Sequence, residues 1–221
     1  MPTGTLYIVS TPIGNLEDIT LRAIRTLKEV DLVAAEDTRR AKVLFRAHDI
    51  ETPATSFYSH NMKRKAPGLV EALLGGKNVA LISDSGTPGI SDPGFVLISE
   101  CIKNAIPLTA VPGPTALVAA LVLSGKPTNK FVFEGFLSNK QARRRKQLEK
   151  LKEEERTVVV YESPHRIEKF LKDFMDVAGD RELALAREIT KKFEEVRREK
   201  ASQHLKHFEK SKPRGEFIVI F

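Results

Sequence analysis

Short apolar runs alternate with segments of helical periodicity in the first half of the chain. Each run is four residues long and mostly aliphatic: Leu6–Val9, Leu32–Ala35, Val79–Ile82 and Leu108–Val111. Between the first two runs, apolar side chains recur at Leu21, Ile24 and Leu27, which is the spacing of one helical face. This alternation predicts an α/β fold built on a parallel sheet.

The same pattern predicts the remaining elements. Helices are expected over residues 19–30 (capped by Asp18), 66–74, 95–104, 116–123, 140–156 and 167–175. Strands are expected over residues 131–133, 157–161, 183–186 and 217–221, with residues 193–197 pairing antiparallel to the third of them. A polar segment with Gly and Pro at residues 124–129 predicts a boundary between two α/β domains, 1–125 and 126–221.

The strand at Val79–Ile82 runs into an unusually long loop, residues 83–94, which contains three Gly, two Pro and two Asp. Most strand-to-helix connections are about 2–6 residues long, so this length needs a reason. Asp92 followed by Pro93 is typical of a helix start. A loop that binds a small molecule through its backbone explains this length better than an elaborate turn without a ligand does.

Three other strand ends carry similar polar or Gly/Pro-rich segments, at residues 10–15, 36–40 and 112–115. In a sheet of right-handed crossovers all four segments lie at the carboxyl edge, where open α/β sheets bind ligands. No G-x-G-x-x-G and no P-loop pattern occurs in the sequence, so neither standard nucleotide site is indicated.

The net charge of +7 is confined to one part of the chain. Residues 1–125 hold twelve basic and twelve acidic side chains, so the whole positive excess lies in residues 126–221. Such asymmetry is typical of a region that binds an anionic partner such as nucleic acid, although a solvated basic surface gives the same count. Candidate phosphate-binding groups are the runs 143–146, 197–198 and 210–214.

Composition limits the remaining classes. The single Cys101 excludes an internal disulfide and a cysteine-built metal site, and no metal is expected. The longest apolar run, Ala116–Leu123, is far shorter than the ~20 residues that span a bilayer. With no leader pattern at the N-terminus, we expect a cytoplasmic protein without a membrane partner.

The motifs taken together resemble a known family. They are STPIGNL at 10–16, EDTR at 36–39, SDSGTP at 83–88, SDPG at 91–94, VPGPTA at 111–116, YESPHR at 161–166, REITK at 187–191 and RGE at 214–216. In this order they resemble the ribosomal RNA small-subunit methyltransferase I group of the tetrapyrrole methylase superfamily. Related chains often continue into a small helical extension, whereas this sequence ends at Phe221.

The resemblance implies two α/β domains with S-adenosylmethionine in a cleft between them, and a homodimer. It implies 2′-O-methylation of a cytidine ribose in small-subunit (16S) ribosomal RNA, free or within the assembled subunit. It also implies cofactor-binding positions, which in this sequence are Pro12, Asp84, Gly86, Thr87, Thr115, Ala116, Phe136, Tyr161 and Ala186. Asp84 suits the ligand chemically, because its carboxylate can accept hydrogen bonds and favour a sulfonium.

A ribose hydroxyl is a poor nucleophile, so its methylation needs a proton acceptor or close alignment. Titratable residues at the strand ends are Glu36, Asp37, Glu162, His165, Glu188 and Lys191. We predict Lys191 with Glu36 as the catalytic pair, while catalysis by proximity alone stays open. Alternative functions are methylation of a tetrapyrrole precursor, a protein substrate as for diphthine synthase, and a non-catalytic RNA- or nucleotide-binding module.

Overall fold

The computed structural model describes residues 2–221, which form two compact units. The first ends at Thr115 and the second begins at Ala116. The sequence places the boundary after residue 125, one helix later. The segment between the two positions is the helix Ala116–Leu123, which the structure assigns to the second unit.

The first unit is a five-stranded parallel sheet with helices between its strands. Its strands are β1 (Leu6–Val9), β2 (Leu32–Ala35), β3 (Ala54–Ser56), β4 (Val79–Ile82) and β5 (Leu108–Val111). Its helices are α1 (Leu21–Glu29), α2 (Thr38–Ala47), α3 (Met62–Leu74) and α4 (Gly94–Lys103). The spatial order of the strands is β3-β2-β4-β1-β5, and every neighbouring pair is parallel.

The core of this unit explains its apolar runs. All four residues of β4 are buried, as expected for a central parallel strand covered on both faces. One apolar cluster includes Leu27, Val33 and Phe45 from one side of the sheet. A second includes Leu69, Leu81 and Leu97 from the other side. The sheet is therefore covered by helices on both faces, and its carboxyl edge is left for the connecting loops.

The start of α1 differs from the sequence prediction. The cap is Thr20, whose side chain accepts a hydrogen bond from the Ala23 amide at 3.1 Å. Asp18 instead ends a short 3-10 turn, Leu16–Asp18, because Asn15 caps that turn and directs the chain away from a continuous helix. The predicted Asp18 cap is therefore wrong.

The second unit is a mixed five-stranded sheet in the order β6-β7-β10-β8-β9. Its strands are β6 (Phe131–Phe136), β7 (Thr157–Glu162), β8 (Glu182–Arg187), β9 (Glu195–Lys200) and β10 (Phe217–Ile220). Its helices are α5 (Ala116–Leu123), α6 (Gln141–Leu151), α7 (Ile167–Ala178) and α8 (Ala201–Lys210). β6 and β7 are parallel, whereas the other pairs are antiparallel, including the predicted hairpin of β8 and β9.

A buried ion pair joins two helices of the second unit. Arg144 of α6 and Asp173 of α7 have side chains that are 3% and 2% exposed, and the Arg144 Nη2 to Asp173 Oδ2 distance is 2.5 Å. Arg144 Nε also donates to Asp173, and Gln141 donates to the other carboxylate oxygen at 2.9 Å. This network holds α6 in one orientation about its own axis. In that orientation Leu148 and Leu151 face the core.

Two helices were not predicted, and α6 was predicted to extend too far at its C-terminal end. Each of these helices, α2 and α8, buries only three side chains, and the charged residues around them obscured the helical pattern. α6 ends at Leu151 rather than at residue 156, because the following Lys and Glu residues contribute no buried side chain. None of the helices in residues 2–221 is long and apolar enough to cross a membrane.

Candidate functional site

The four predicted strand-end segments of the first unit do meet at one edge of the sheet. Thr11 and Gly86 exchange two backbone hydrogen bonds of 2.9 and 3.0 Å, which joins the β1 and β4 loops. The Ser10 amide donates to Val111 O at 3.1 Å, which ties in the β5 loop. Gly86 has φ of +76°, a left-handed conformation that favours Gly, so the sequence choice at this contact follows from the backbone.

Asp92 organises the rest of the β4 loop. Its Oδ1 accepts hydrogen bonds from the Gly89 amide at 2.8 Å and from the Gly94 amide at 2.7 Å. A Cβ on Gly94 would lie 2.8 Å from that oxygen and 2.9 Å from Gly89 N. Burial raises the pKa of Asp92, against the effect of these two amides. Asp92 therefore stabilises the loop conformation, and its Oδ1 already accepts two hydrogen bonds and is not available to a ligand.

Glu36 joins the ends of β2 and β4. Its Oε2 accepts a hydrogen bond from the Asp84 amide at 3.1 Å. Burial raises the pKa of the Glu36 carboxyl, and the Asp84 and Asp92 carboxylates add to the increase, while the Asp84 amide and Arg40 oppose it. Glu36 is therefore a stronger base than an ordinary carboxylate.

The pKa of Asp37 is shifted in the opposite direction to that of Glu36. Arg39 donates hydrogen bonds to both carboxylate oxygens of Asp37 and lowers the pKa of Asp37 to about 2. A carboxylate that holds a proton so weakly is a poor proton acceptor at neutral pH. Of the two adjacent acids, Glu36 is the one suited to general-base chemistry.

Asp84 offers an unused acceptor. Its Oδ1 is buried and has no hydrogen-bond partner among residues 2–221, while its Oδ2 lies 3.4 Å from Nη1 of Arg40. A pocket of about 90 Å³ opens beside it, lined also by Thr11, Pro12 and Asp37. This volume is below the ~300 Å³ of a typical ligand cavity, so the pocket can hold only part of a cofactor-sized molecule.

In the second unit, aromatic side chains gather at the ends of β6 and β7. The Tyr161 ring lies 4.9 Å from that of Phe133 and 5.6 Å from that of Phe136, both edge-on. Gly135, with φ of +62°, forms a bulge that shifts the register between β6 and β7. Burial raises the pKa of Tyr161 to about 12, so its hydroxyl stays protonated. Phe136 is 54% exposed and presents an apolar surface.

Glu162 lies next to this aromatic group and is fully buried. Its Oε1 accepts hydrogen bonds from the Ser163 amide and from Arg166, both at 2.7 Å. Arg166 also donates to Leu137 O at 3.2 Å, which links the β6 and β7 ends. The Oε2 of Glu162 is buried without a partner among the described residues. Glu162 therefore positions Arg166, and the exposed His165 does not share in this network.

The loop after β8 is strained and contains Lys191. Glu188 and Thr190 both have positive φ, of 51° and 67°, which is unusual for residues with a side chain. The Nζ of Lys191 donates to Glu188 Oε1 at 2.9 Å. A Cβ on Gly215 would collide with the same carboxylate, so only Gly fits there. The loop holds Lys191 as a paired cation, with its side chain 38% exposed.

Comparison with known proteins identifies the family. The sequence profile of the tetrapyrrole (corrin/porphyrin) methylases matches residues 5–204. The chain belongs to the tetrapyrrole methylase family. The ribosomal RNA small subunit methyltransferase I of Thermotoga maritima is 50% identical over 217 residues, which cover 98% of this chain and 97% of that protein. The proteins of the same name from Synechocystis sp. and Bacillus subtilis are 46% and 43% identical, with 98% of this chain and 78% and 74% of theirs covered.

Solved structures agree with the family fold. A cobalt precorrin-4 methyltransferase aligns over 100% of this chain and 97% of its own, with a TM-score of 0.74 and 17% identity. A diphthine synthase aligns over 99% and 90%, with a TM-score of 0.76 and 12% identity. At this identity the likeness shows the fold alone. The predicted fold class, two α/β units of tetrapyrrole-methylase type, is confirmed.

Family membership makes the chain a methyltransferase whose methyl donor is S-adenosylmethionine. The first unit fits such a ligand. The unpartnered Oδ1 of Asp84 can accept a hydrogen bond from an ammonium or a ribose hydroxyl. The carboxylates of Asp84 and Glu36 provide negative charge for a cation such as a sulfonium.

The structure groups the predicted cofactor-binding residues by unit. Pro12, Asp84, Gly86 and Thr87 lie together in the first unit, where Thr87 Oγ1 is 2.9 Å from Ser10 Oγ. Phe136 and Tyr161 lie together in the second unit. Ala186 is fully buried in β8, which β10 separates from β7. Thr115 and Ala116 are half-buried on either side of the unit boundary. Their binding roles stay predictions.

In the predicted phosphate-binding runs, Arg144 is wrong because it is buried, and three other arginines have partners within the chain. Arg144 is buried against Asp173, and Arg145 pairs with Asp176 at 2.8 Å. Arg197 pairs with Glu195 and Glu199, and Arg198 donates to Leu123 O. A run of basic residues on a helix or strand faces several directions, so only some of its members remain available to a ligand.

Sequence reasoning missed two groups at the site. Arg40 approaches Asp84 from α2, a helix that the periodicity did not reveal. The Ser10–Thr87 hydroxyl pair depends on the contact between two loops, which no local signal encodes. The available clue was Asp37, which is a typical N-cap residue and would have placed Arg40 in the first turn of a helix.

Proposed function

We propose that this protein transfers a methyl group from S-adenosylmethionine to the ribose 2′-oxygen of a cytidine in small-subunit (16S) ribosomal RNA. The observation that carries the proposal is the near-full-length identity of 43–50% to proteins named ribosomal RNA small subunit methyltransferase I. The site at the sheet edge of the first unit supports it, because it combines an unpartnered acceptor on Asp84 with a basic carboxylate on Glu36.

S-adenosylmethionine supplies an electrophilic methyl group on a sulfonium, which leaves as a neutral thioether. The ribose oxygen must lose its proton as it bonds to the methyl carbon. Glu36 is suited to receive that proton, since burial raises its pKa and its Oε2 is already held by the Asp84 amide. Held at one oxygen, the carboxylate keeps its orientation and leaves Oε1 for the incoming proton.

Lys191 is the second proposed catalytic residue. Its pairing with Glu188 makes it a hydrogen-bond donor and a fixed positive charge. In that state it suits the phosphate next to the target ribose or the developing charge on the ribose oxygen. The strained backbone at Glu188 and Thr190 supports a functional role for this loop, because strain is retained where it serves a site.

The proposal includes the partners and the location that the family resemblance implies. The RNA is bound either free or within the assembled small subunit, and the enzyme works as a homodimer in the cytoplasm. Light scattering of the purified protein tests the dimer, for which a mass near twice the 24.7 kDa of one chain is expected.

The proposal is tested by methyl transfer from radiolabelled S-adenosylmethionine to three acceptors: unmodified small ribosomal subunits, free small-subunit RNA and a carboxylated tetrapyrrole precursor. Label in RNA supports the proposal, and the preferred RNA form identifies the substrate. Label only in the tetrapyrrole would replace it with the function of the fold relatives. Cofactor binding without label in any acceptor would favour a binding module or a protein substrate.

A further inference from the structure

The basic residues of α6 divide into two sets with different surroundings. Arg144 and Arg145 face α7 and pair with Asp173 and Asp176. Arg143, Lys146 and Lys150 are exposed, and none of the three forms an ion pair within residues 2–221. The inward pair therefore anchors the helix, and the outward three are free to bind another molecule.

The outward three residues form a line along the helix. Arg143, Lys146 and Lys150 are spaced i, i+3 and i+7, which places them on one face about 5–6 Å apart. From first to last they span about 10 Å at the helical rise. The row is therefore long enough to contact more than one phosphate of a nucleic-acid strand, since nucleotides advance about 3.4 Å per strand along the axis of a DNA duplex.

The inward pair determines where this line points. The Arg144–Asp173 pair is buried, with additional hydrogen bonds from Arg144 to Ser138 O and from Gln141 to Asp173. It prevents rotation of α6, so the three cations are presented in a fixed row. A row fixed in this way loses little conformational freedom of the helix on binding.

The charge of the second unit favours an anionic partner at this row. The first unit is neutral and all seven excess positive charges lie in residues 116–221. Glu149 is the acidic residue within the stretch from Arg143 to Lys150, and it leaves the row net positive. Few aromatic side chains accompany the row, which fits contacts to phosphate rather than to bases.

We propose that Arg143, Lys146 and Lys150 bind the phosphate backbone of the RNA substrate. The inference rests on the proposed function, which supplies RNA as the substrate. These three residues would then contribute to RNA affinity. They would not select the nucleotide, because phosphate contacts position the RNA without reading its sequence.

The test compares two triple variants of the full-length protein. The first is Arg143→Gln, Lys146→Gln, Lys150→Gln. The control is Arg22→Gln, Arg25→Gln, Lys28→Gln, which removes the same charge from an exposed helical row on α1 in the first unit. Gln has a helix propensity close to those of Arg and Lys, so both helices are retained, and thermal unfolding and cofactor affinity verify folding.

RNA affinity is measured by filter binding over a range of salt concentrations, and methyl transfer gives KM and kcat. The α6 triple is expected to bind RNA about 10- to 100-fold more weakly, with the slope of log K against log salt reduced by about 2. Its KM for RNA rises while kcat at saturating RNA is unchanged. The single variant Glu149→Gln is expected to strengthen binding a few-fold, because it removes a negative charge from the row.

Affinity of the α6 triple equal to that of the unsubstituted protein would overturn the inference while the proposed function stands. Equal losses in the α6 and α1 triples would also overturn it, since net charge alone would then explain binding. If the unsubstituted protein neither binds nor methylates RNA, the proposed function itself fails, and the inference fails with it.

Discussion

The Asp84 amide donates a hydrogen bond to Oε2 of Glu36 across 3.1 Å. Glu36 follows β2 and Asp84 follows β4, two adjacent parallel strands, so the bond joins two loops at the carboxyl edge of the sheet. One acid is thereby held by the backbone of the other, and the Asp84 side chain keeps a buried oxygen that has no partner within residues 2–221. The site thus combines a carboxylate held at one oxygen, Glu36, with an acceptor oxygen on Asp84.

Glu36→Gln tests the base. Gln keeps an oxygen that can accept from the Asp84 amide but cannot take up a proton, so we expect kcat to fall by about 10²–10⁴-fold with little change in cofactor affinity. The measurement is single-turnover methyl transfer with labelled cofactor, alongside cofactor titration by calorimetry. Unchanged kcat would remove Glu36 from catalysis.

Glu36→Gln is expected to lower kcat but to raise the stability of the folded protein at neutral pH. Burial raises the pKa of Glu36, so the folded protein binds this proton more tightly than the unfolded chain does. Stability is therefore lost as pH rises from the ordinary glutamate pKa through the raised one. Urea unfolding at neutral pH should show Glu36→Gln to be more stable than the unsubstituted protein, with the gain vanishing in acid. A destabilised variant at neutral pH would contradict the buried-carboxylate account.

Asp84→Asn tests the free acceptor. Loss of the charge should weaken S-adenosylmethionine binding about 10- to 100-fold, the size of one or two charge-assisted hydrogen bonds. Calorimetric titration of each variant with S-adenosylmethionine measures this affinity. The matched control is Asp92→Asn in the same loop, whose Oδ1 still accepts from the Gly89 and Gly94 amides. Equal losses in both variants would mean that loop charge in general, rather than Asp84, favours the ligand.

Lys191→Met is expected to reduce methyl transfer by about 10²-fold or more, because a fixed cation near the reacting groups is worth several kcal/mol. Lys192→Met removes the same charge from the next, exposed residue and should leave turnover unchanged. Steady-state kinetics of the two variants decides the point. Similar effects in both would show that the positive charge of the loop matters rather than the Lys191–Glu188 pair.

Gly94→Ala should destabilise the first unit by about 1–3 kcal/mol, because the added Cβ would lie 2.8 Å from Asp92 Oδ1 and 3.2 Å from Leu81 Cδ2. Gly68→Ala is the control: it lies in α3 with no atom within 4 Å of the added Cβ, so it should stabilise by about 0.5–1 kcal/mol. Denaturant unfolding measures both. A tolerated Gly94→Ala would show that the loop around Asp92 is loose.

The sequence predicted what depends on local pattern. Four strands of the first unit, β1, β2, β4 and β5, appear with the predicted bounds, because each is a short, mostly apolar run between helical segments. The meeting of four loops at one edge was also predictable, since parallel strands bring their carboxyl ends together.

Features that depend on tertiary contact were not predictable. Nothing local distinguishes Arg144, which is buried against Asp173, from Arg143, which is exposed one residue earlier. The choice of Thr20 over Asp18 as the cap of α1 depends on the short turn that precedes it. The Asp84–Glu36 bond likewise joins residues far apart in the chain, and only the assembled sheet shows it.

The position of the transferred methyl group tests the central claim most directly. Small-subunit RNA methylated with labelled cofactor is hydrolysed in alkali, and the labelled product is identified by mass spectrometry. A 2′-O-methyl group removes the hydroxyl that alkaline cleavage needs, so the account predicts an alkali-resistant dinucleotide that carries 2′-O-methylcytidine. A label recovered as a base-methylated mononucleotide would contradict the account.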